Sequence, residues 1–384
     1  MQDRNPCETA GPAPKVLFLL PSLGGGGAER VASLLSAPLS ERCALTLVLL
    51  EDRRAYEIPA NVPCVAFSGP LGGKAAHLLQ TPRHLLSLIR LVKKTGARVV
   101  LSFMEEANIL NILASFITGH KAVVSERIIP RLQARKNGLL GVLMYSCSKI
   151  LYRRSAHVVT VSAMLKTIMV RDFGIPQDRV SFIPNPVDSE RLLLGVQKEV
   201  SVGLPERFIV HIGRLVLSQK GQDILIRAFS AVKEKLGNFS LVLVGEGPDR
   251  SRIETLIQKL ELSDRVILCG WQENVAPIMA NAAALVLCSH YEGWPNVLVE
   301  AMACGCPVIA SDCESGPREI LEGGRCGMLV PAGEENALAH ALLRTLGDEA
   351  GLLAMKQRAV LRAQDFTLGR IACRYADLLV KLGS

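Results

Sequence analysis

The segment KVLFLLPSLGGGGAERVASLLSAP (residues 15–38) decides the fold class. It begins with an apolar run of strand length, Lys15 to Pro21, continues through the glycine turn Gly24 to Gly27, and ends in the helix-forming residues Ala28 to Pro38. A strand, a glycine turn and a helix in this order open a nucleotide-binding α/β fold. The apolar run is far too short to span a membrane, and it lacks the longer core and the cleavage site of a signal peptide. We therefore interpret it as the buried first strand.

The same alternation of strand and helix continues along the chain. Further strands are predicted in the first half at Ala44 to Leu50, Val99 to Phe103, Lys121 to Ser125 and Ala156 to Ser162. The second half repeats the rhythm with strands at Phe208 to Gly213, Ser240 to Gly245, Val266 to Cys269, Ala283 to Cys288 and Pro307 to Ala310. Near-continuous apolar strands are typical of parallel sheets with helices on both faces. The sequence therefore predicts an α/β chain of two similar, doubly wound, Rossmann-like domains.

A proline-rich segment divides the two domains. Ile183-Pro184-Asn185-Pro186-Val187-Asp188 cannot form a regular helix, and a polar stretch follows it. We place the first domain at residues 15–187, after a flexible N-terminus over 1–14, and the second domain at 188–365. The helical residues 366–384 are expected to run back across the first domain.

Composition restricts the function. Lysine and arginine number 44 against 36 aspartates and glutamates, an excess that favours anionic partners. The chain has only 2 Trp and 5 Tyr, scattered along it, so the stacking residues of an RNA-binding surface are missing and no nucleic acid partner is expected. The 11 cysteines include no CxxC pair. They predict buried thiols in a reducing compartment rather than a disulfide framework or a zinc site.

The most informative motif is YEGWPNVLVE (residues 291–300), in which Glu292 and Glu300 flank a glycine–proline turn that leads into a helix. The unpaired N–H groups at the start of that helix are suited to a phosphate. The residues expected to line it are Gly293, Trp294, Pro295, Asn296 and Val297. The two carboxylates would then bracket the rest of a nucleotide sugar. The alternative is structural, with Glu292 as a helix cap and Glu300 on a solvated face; the helix–strand unit completed by Gly305 to Ala310 favours the functional interpretation.

A second motif places Arg214 and Lys220 at the carboxyl end of the strand that opens the second domain, where ligands bind in open α/β sheets. Two fixed cations suit a diphosphate, because negative charge builds up on a leaving nucleoside diphosphate. The alternative is that both are solvated loop charges. The glycine run that includes Gly26 and Gly27 allows a ligand to approach the backbone closely, whereas Gly245-Glu246-Gly247-Pro248 is more consistent with a turn.

These residues together resemble the family 4 glycosyltransferases of GT-B architecture. The resemblance extends over nearly the whole chain, from Gly-Gly-Ala-Glu-Arg at 26–30 to the E-x7-E pair at 292 and 300. Gly270-Trp271-Gln272-Glu273-Asn274 and Ser-Gly-Pro-Arg-Glu-Ile at 315–320 resemble a bacterial subgroup that builds lipid-linked glycans, capsules and surface polysaccharides. The resemblance implies two Rossmann-like domains that face a central cleft, of which the first binds the acceptor and the second binds the nucleotide sugar.

The resemblance also assigns roles to individual residues. It implies that Arg214 and Lys220 hold the donor diphosphate, that Glu300 binds the ribose hydroxyls and that Glu292 lies beside the transferred sugar. Family members retain the anomeric configuration by a front-face mechanism in which the leaving phosphate helps to deprotonate the acceptor hydroxyl. Glu292 then orients the sugar and stabilises positive charge, unlike the nucleophile of a retaining glycosidase.

Two features depart from the family pattern. The loop from Arg214 to Lys220 is slightly longer than is common, and Ser125-Glu126-Arg127 occupies the region where many relatives place a histidine near the donor sugar. We take Glu126 and Trp271 as further substrate-binding candidates. No cofactor is expected, and no metal, since the chain has no Asp-x-Asp pair and two cations with a helix terminus supply the same electrostatic stabilisation.

Basic apolar helices predict contact with a membrane surface. Three basic residues share one helical face: Arg83, Arg90 and Lys94. A second basic segment, residues 131–154, includes Arg135, Lys136, Lys149, Arg153 and Arg154. Such helices lie at anionic membranes or bind lipid phosphates, or they are ordinary amphipathic helices packed on the first domain. No spanning helix is expected, because polar residues interrupt the longest apolar run at Glu105, Glu106, Asn108 and Asn111.

With the resemblance, the sequence predicts a retaining glycosyltransferase that moves an N-acetylhexosamine or hexose from a uridine-diphosphate donor to a lipid-linked glycan in cell-surface polysaccharide assembly. The enzyme is expected to be cytoplasmic and bound peripherally to the inner leaflet. A sugar-nucleotide epimerase of the same architecture and a catalytically silent membrane scaffold remain as alternatives. A nicotinamide dehydrogenase is disfavoured because its glycine fingerprint is missing.

Overall fold

A computed structural model describes residues 13–69, 74–132, 138–198 and 203–384. The predicted flexible N-terminus lies almost wholly outside the described residues, as do Arg135 and Lys136 of the second basic segment. The chain divides into two compact units. Unit 1 contains the residues up to Pro186 together with Leu368–Ser384, and unit 2 contains Val187–Thr367.

Unit 1 is built on a parallel sheet of seven described strands. In chain order they are β1 (Lys15–Leu20), β2 (Ala44–Glu51), β3 (Cys64–Ser68), β4 (Val99–Phe103), β5 (Lys121–Glu126), β6 (His157–Thr160) and β7 (Val180–Phe182). Their order in the sheet is β3-β2-β1-β4-β5-β6-β7. The direction of winding reverses between β1 and β4, and in doubly wound folds ligands bind beside this switch point, at the carboxyl ends of the strands.

Helices cover both faces of the sheet of unit 1. They are α1 (Gly27–Ser40), α2 (Lys74–Thr95), α3 (Glu105–Thr118), α4 (Gly138–Leu151), α5 (Ala163–Arg171) and the C-terminal helix (Leu368–Gly383). Successive side chains of β1 point to opposite faces, because a strand alternates. Phe18 and the other side chains on its face of the sheet pack against α1 and the C-terminal helix. Leu17 and Leu19, on the opposite face, pack against α2 and α3.

Unit 2 repeats this plan with six described strands. They are β8 (Phe208–Ile212), β9 (Ser240–Val244), β10 (Val266–Gly270), β11 (Ala284–Leu287), β12 (Val308–Asp312) and β13 (Met328–Pro331). Their order is β10-β9-β8-β11-β12-β13, with the switch point between β8 and β11.

The helices of unit 2 lie mostly between its strands along the chain. They are α6 (Ser189–Val196), α7 (Leu217–Lys220), α8 (Gln222–Val232), α9 (Arg250–Lys259), α10 (Ala276–Asn281), α11 (Asn296–Ala303), α12 (Pro317–Ile320), α13 (Glu335–Leu346) and α14 (Glu349–Ala363). Short 3-10 helices in the two units cover Tyr152–Arg154, Gln177–Arg179, Glu322–Gly324 and Gln364–Phe366. One face of the sheet packs against α8, α9 and α13 through a core that includes Phe229, Ile253 and Leu342.

The predicted α/β class with two doubly wound sheets is confirmed. Three short strands, β3, β7 and β13, were not predicted, because runs of three to five residues with mixed polarity carry no clear period. Within the described residues no helix is both long and apolar enough to cross a bilayer. The described cysteines are free thiols, and half of the ten are buried.

Candidate active site

Unit 2 brings the two glutamates and the two cations of the sequence motifs to one edge of its sheet. Arg214 and Lys220 follow β8, and Glu292 and Glu300 follow β11. β8 and β11 are paired neighbours at the switch point. Because the carboxyl ends of parallel strands meet at the same edge, residues far apart in sequence become neighbours there.

Lys220 and Glu292, 72 residues apart, form an ion pair at this edge. The Lys220 Nζ lies 2.6 Å from Glu292 Oε1, and the Ser289 hydroxyl donates to the same oxygen at 2.6 Å. The two side chains of the pair are only 17% and 8% exposed. A buried carboxylate requires partners of this kind, and charge-assisted hydrogen bonds are the strong ones. Glu292 is therefore bound to a cation. The N-cap residue of α11 is Pro295, without a side-chain cap, so the alternative that Glu292 caps this helix is wrong.

Glu300 and Arg214, the other glutamate and the other cation of the two motifs, lie in different environments. Glu300 lies in the second turn of α11 and is 8% exposed, so the alternative of a solvated face is wrong for it as well. Arg214 is exposed on the loop after β8. Among the described residues its guanidinium forms no ion pair, and its backbone oxygen accepts a hydrogen bond from Gln222 at 3.0 Å. The site thus offers one cation that is already paired and one that faces solvent.

The turn between the two glutamates is shaped by the segment after β12. Ser315 donates to the Gly293 oxygen at 3.0 Å, and Gly316, with a φ of +91°, lies so close that an added Cβ would be 2.7 Å from Pro295 Cδ. The Trp294 ring is buried and packs edge-on against Phe366 at 5.3 Å. Trp294 thus anchors the turn by packing. The partly exposed residues of the turn are Asn296 and Val297.

The glycines after β9 hold the Arg214 loop in place. Gly245 has a φ of +134°, and an added Cβ would lie 2.1 Å from the Gly213 oxygen. A Cβ added at Gly247 would likewise lie only 2.2 Å from the Leu215 oxygen, and Leu215 N donates to the Glu246 oxygen at 3.0 Å. The interpretation of this segment as a turn is consistent with the structure, which adds a reason for its two glycines: only a residue without Cβ permits the approach.

Gly245→Ala is expected to destabilise unit 2 by about 3 kcal/mol, because the new methyl group collides with backbone and the left-handed φ strains alanine. Urea unfolding followed by tryptophan fluorescence measures this effect, since both tryptophans, Trp271 and Trp294, belong to unit 2. Gly237→Ala is the matched control. Its φ is +63° and nothing lies within 4 Å of an added Cβ, so it should cost about 1 kcal/mol. Equal losses in the two variants would contradict the steric account.

A buried histidine beneath the site was not predicted. His211 is fully buried on β8, its Nδ1 lies 2.9 Å from the Val286 oxygen and its Nε2 lies 3.3 Å from the Gln222 amide nitrogen. Burial lowers the pKa of His211 to about 4, so the ring is neutral at pH 7. A neutral ring donates from Nδ1 to the carbonyl and accepts from Gln222 at Nε2. His211 therefore links β8, β11 and α8 below Lys220; a lone histidine inside an apolar strand gives no sequence signal of this role.

In unit 1 the glycine run after β1, Gly24 to Gly27, is exposed, and the side chain of Glu29 holds it in place by a hydrogen bond. Gly27 begins α1 and Gly26 is its N-cap residue, whose N–H donates to Glu29 Oε2 at 2.6 Å. Ser22 donates to the other oxygen of Glu29 at 3.0 Å. Glu29 is buried and was not predicted as a functional residue. Glu29 is the third residue of α1, and its carboxylate fixes the conformation of the loop by accepting the Gly26 N–H, as in a capping box.

The remaining candidates belong to other elements of the two units. Trp271 is 68% exposed and follows the edge strand β10, which β9 separates from β8. Glu126 ends β5 in unit 1 and is buried. The three basic residues of α2 that share one helical face, Arg83, Arg90 and Lys94, are exposed. No group of three or more metal-ligating side chains is present in the described part of the chain.

The two sheets and their shared strand order define the class of this protein as GT-B, with two doubly wound α/β units. Solved structures support the same fold. Sucrose-phosphate synthase from Thermosynechococcus elongatus superposes with a TM-score of 0.82 at 20% identity, over 96% of this chain and 99% of that one. HepE from Anabaena in complex with UDP superposes with a TM-score of 0.76 at 22% identity, over 96% and 100%.

Sequence comparison gives the family. Residues 25–191 match the model for Glycosyltransferase Family 4, and residues 206–348 match the model for Glycosyl transferases group 1. An N-acetylgalactosamine-N,N'-diacetylbacillosaminyl-diphospho-undecaprenol 4-alpha-N-acetylgalactosaminyltransferase from Campylobacter jejuni is 30% identical over 93% of this chain and 97% of its own length. The chain belongs to glycosyltransferase family 4, and the predicted resemblance is confirmed.

Proposed function

We propose that this protein transfers an N-acetylhexosamine or hexose from a UDP-sugar to a lipid-linked glycan, with retention of anomeric configuration and without a metal ion. The observation that carries the proposal is the Lys220–Glu292 ion pair at the carboxyl edge of unit 2, with Arg214 on the adjoining loop. Within the described part of the chain Lys220 pairs with this one carboxylate, and a diphosphate can take the place of that partner. An exposed arginine can add a bidentate contact to the same group.

The donor is held through its charge and its ribose. The diphosphate binds Lys220 and Arg214 near the first turn of α11, where unpaired backbone N–H groups favour an anion. These fixed positive groups stabilise the charge that develops on the leaving UDP, which is the electrostatic task that a metal performs in other transferases. The buried carboxylate of Glu300 accepts hydrogen bonds from the ribose hydroxyls. The uridine nucleotide is supported by the structural similarity to HepE, which was crystallised with UDP.

Glu292 acts on the transferred sugar. When the diphosphate takes over Lys220, the carboxylate is freed to orient a sugar hydroxyl and to stabilise positive charge at the anomeric carbon. The leaving phosphate receives the proton of the acceptor hydroxyl, so no covalent sugar–protein intermediate forms. The name of the Campylobacter relative, a 4-alpha-N-acetylgalactosaminyltransferase, supports an N-acetylhexosamine as the transferred group and an alpha product.

The acceptor is proposed to be linked to a polyprenyl diphosphate, as in the name of the same relative. Unit 1 exposes apolar side chains of the kind that enter a lipid surface: Leu86, Phe116, Ile117, Val142, Leu143 and Ile150. Leu86 lies on α2 between Arg83 and Arg90, so an apolar side chain accompanies the exposed basic face. This combination is suited to the interface of an anionic membrane. We therefore place the enzyme at the inner leaflet as a peripheral protein.

Reversing the charges of Arg83, Arg90 and Lys94 to glutamate should weaken binding to vesicles of phosphatidylcholine and phosphatidylglycerol by about 100-fold or more, because each basic residue near an anionic surface contributes about 1 kcal/mol. Sedimentation with vesicles measures the effect. The matched control reverses three exposed basic residues of unit 2, Lys235, Lys259 and Arg344, with the same change in net charge. Equal binding by the two triple variants would overturn the assignment of this surface.

The transfer reaction itself is tested with a set of UDP-sugars and polyprenyl-diphosphate-linked mono- and oligosaccharides in the presence of EDTA. The proposal expects a product with an alpha linkage, identified by NMR, at undiminished rate without divalent metal. Interconversion of the UDP-sugar in the absence of acceptor would indicate the epimerase instead. Nucleotide binding with no reaction, or no binding at all, would indicate the scaffold.

A further inference from the structure

Unit 1 contains a continuous chain of buried hydrogen bonds that ends on the carboxyl group of Glu126. This series of hydrogen bonds runs through the interior of unit 1 beside α3, from the loop before β5 to the end of that strand. Its five links are His120 to Asn111 at 2.8 Å, Asn111 to Ser102 at 2.9 Å, Ser102 to Asn108 at 2.8 Å, Asn108 to Tyr152 at 2.9 Å and Tyr152 to Glu126 Oε2 at 3.1 Å.

Every donor in this chain points toward Glu126. Amide groups donate from nitrogen and accept at oxygen, so Asn108 and Asn111 fix the direction at their links. Burial lowers the pKa of His120 to about 4, and the neutral ring donates from Nε2 to the Asn111 oxygen. Tyr152 accepts a hydrogen bond from Asn108, so its one proton is donated to Glu126. Aligned hydrogen bonds polarise one another, and this chain favours negative charge on Glu126.

Glu126 lies where unit 1 would bind a ligand. It is the last residue of β5, at the carboxyl edge of the sheet and beside β4. The residue that follows β4, Met104, has a φ of +75°, which a non-glycine residue rarely adopts. Strain of this kind collects at functional sites because the surrounding structure must maintain it. Met104 connects β4 to α3, which begins with Glu105.

Opposing groups set the charge of Glu126. Burial and then the carboxylate of Glu105 raise its pKa, whereas the Tyr152 hydroxyl and the backbone N–H groups of Ile128 and Arg127 lower it, so that the pKa is about 7. The guanidinium of Arg127 is turned to Asn185 and to the ring of Phe103, and it also pairs with Tyr375 of the C-terminal helix. Glu126 therefore changes charge in the pH range in which enzymes are assayed.

One position on the carboxyl group is left for a ligand. Oε1 accepts the N–H groups of Arg127 and Ile128 at 3.1 and 3.5 Å, which fills both of its lone pairs. Among the described residues Oε2 accepts only the Tyr152 hydroxyl. Its second lone pair is suited to a hydroxyl group, and sugar hydroxyls are bound by carboxylates in this way because a charged acceptor forms the stronger hydrogen bond.

We propose that Glu126 binds a hydroxyl group of the sugar acceptor in unit 1, and that Tyr152 is the positioning residue that keeps the carboxyl group ionised for this contact. The inference rests on the proposed transferase function and goes beyond it by naming the acceptor contact. The ionised form binds the hydroxyl more strongly. The kcat/KM for the acceptor therefore rises with pH as Glu126 loses its proton, and the midpoint of this rise lies near the pKa of about 7.

Two substitutions are expected to move this midpoint in opposite directions. Tyr152→Phe removes a hydrogen bond that favours the charged form, so the midpoint of acceptor kcat/KM against pH should rise by about one unit. Glu105→Gln removes a like charge, so the midpoint should fall by a similar amount. Glu126→Gln should remove this ionisation from the profile and lower acceptor kcat/KM at alkaline pH by about 10- to 100-fold. The donor KM should stay unchanged in Tyr152→Phe and Glu105→Gln.

The experiment measures acceptor kcat/KM between about pH 5.5 and pH 8.5 with a UDP-sugar and the polyprenyl-diphosphate-linked saccharides, together with the Kd of UDP by calorimetry. Tyr145→Phe is the matched control, since Tyr145 lies on α4 of unit 1 and its ring packs edge-on against the Phe173 ring, with the ring centroids 5.6 Å apart. It should leave the midpoint in place. A midpoint that Tyr152→Phe and Glu105→Gln do not shift in opposite directions overturns the inference, and this pair decides the matter even where Glu126→Gln fails to fold.

The same data separate this inference from the proposed function. UDP binding and acceptor transfer with a pH profile that is insensitive to these substitutions would leave the transferase intact and reject Glu126 as the acceptor contact. Loss of UDP binding, or transfer to none of the saccharides, in the unmodified protein would reject the proposed function and this inference with it.

Discussion

Lys220→Met is expected to lower sugar transfer by about 1,000-fold, because it removes a fixed cation from the leaving diphosphate. The same change should destabilise unit 2 by about 2 kcal/mol, since the Glu292 carboxylate, 8% exposed, loses the partner that compensates for its burial. Steady-state kinetics measures the first effect and urea unfolding followed by tryptophan fluorescence measures the second.

A double variant separates the two consequences of this substitution. In Lys220→Met/Glu292→Gln no uncompensated carboxylate remains, so most of the lost stability should return while the rate of transfer stays as low as in Lys220→Met. Arg227→Met is the control for removal of a basic residue elsewhere in unit 2. If transfer returned together with stability in the double variant, Lys220 would have only a structural role and the donor site would be wrongly assigned.

Glu292→Gln is expected to lower kcat by about 1,000-fold while UDP binds more tightly than to the unmodified protein. The loss of rate follows because a neutral amide does not stabilise positive charge on the transferred sugar. The gain in affinity follows because UDP no longer competes with the carboxylate that lies 2.6 Å from the Lys220 Nζ. Calorimetry with UDP and initial rates with the UDP-sugar measure the two effects.

The opposite signs make this second prediction specific. Glu254→Gln is its matched control, because Glu254 also pairs with a cation, Arg250, but on the surface of α9. It should change neither rate nor affinity, since exposed pairs contribute little. A parallel fall of UDP affinity and rate in Glu292→Gln would contradict the view that Glu292 and the diphosphate share Lys220.

The sequence predicted the elements that carry a strong pattern. β1 and the glycine turn after it were identifiable because an apolar run, a glycine cluster and a helix-forming stretch follow one another. α11 (Asn296–Ala303) was predicted as a helix because a glycine–proline turn marks its start. The assembly of Lys220 with Glu292 could also be anticipated, since both follow strands whose carboxyl ends share an edge.

Features that depend on tertiary packing could not be predicted. The collision that forbids a side chain at Gly245 involves the carbonyl of Gly213, on a different loop. Trp294 was expected to face the ligand, but Phe366, distant in sequence, gives its ring a packing partner. Asn108 and Asn111 were visible only as interruptions of an apolar run. Their role in the chain that ends on Glu126 depends on contacts with β4 and Tyr152 that have no local pattern.

The central claim is that unit 2 holds a nucleoside diphosphate between Arg214 and Lys220. Isothermal titration of the full chain with UDP in metal-free buffer tests it most directly, with Arg214→Ala as the paired variant. We predict that UDP binds and that Arg214→Ala weakens the Kd by about 10-fold or more, as the loss of a charge-assisted contact requires. No binding of any nucleoside diphosphate, or the same Kd in both proteins, would contradict the account.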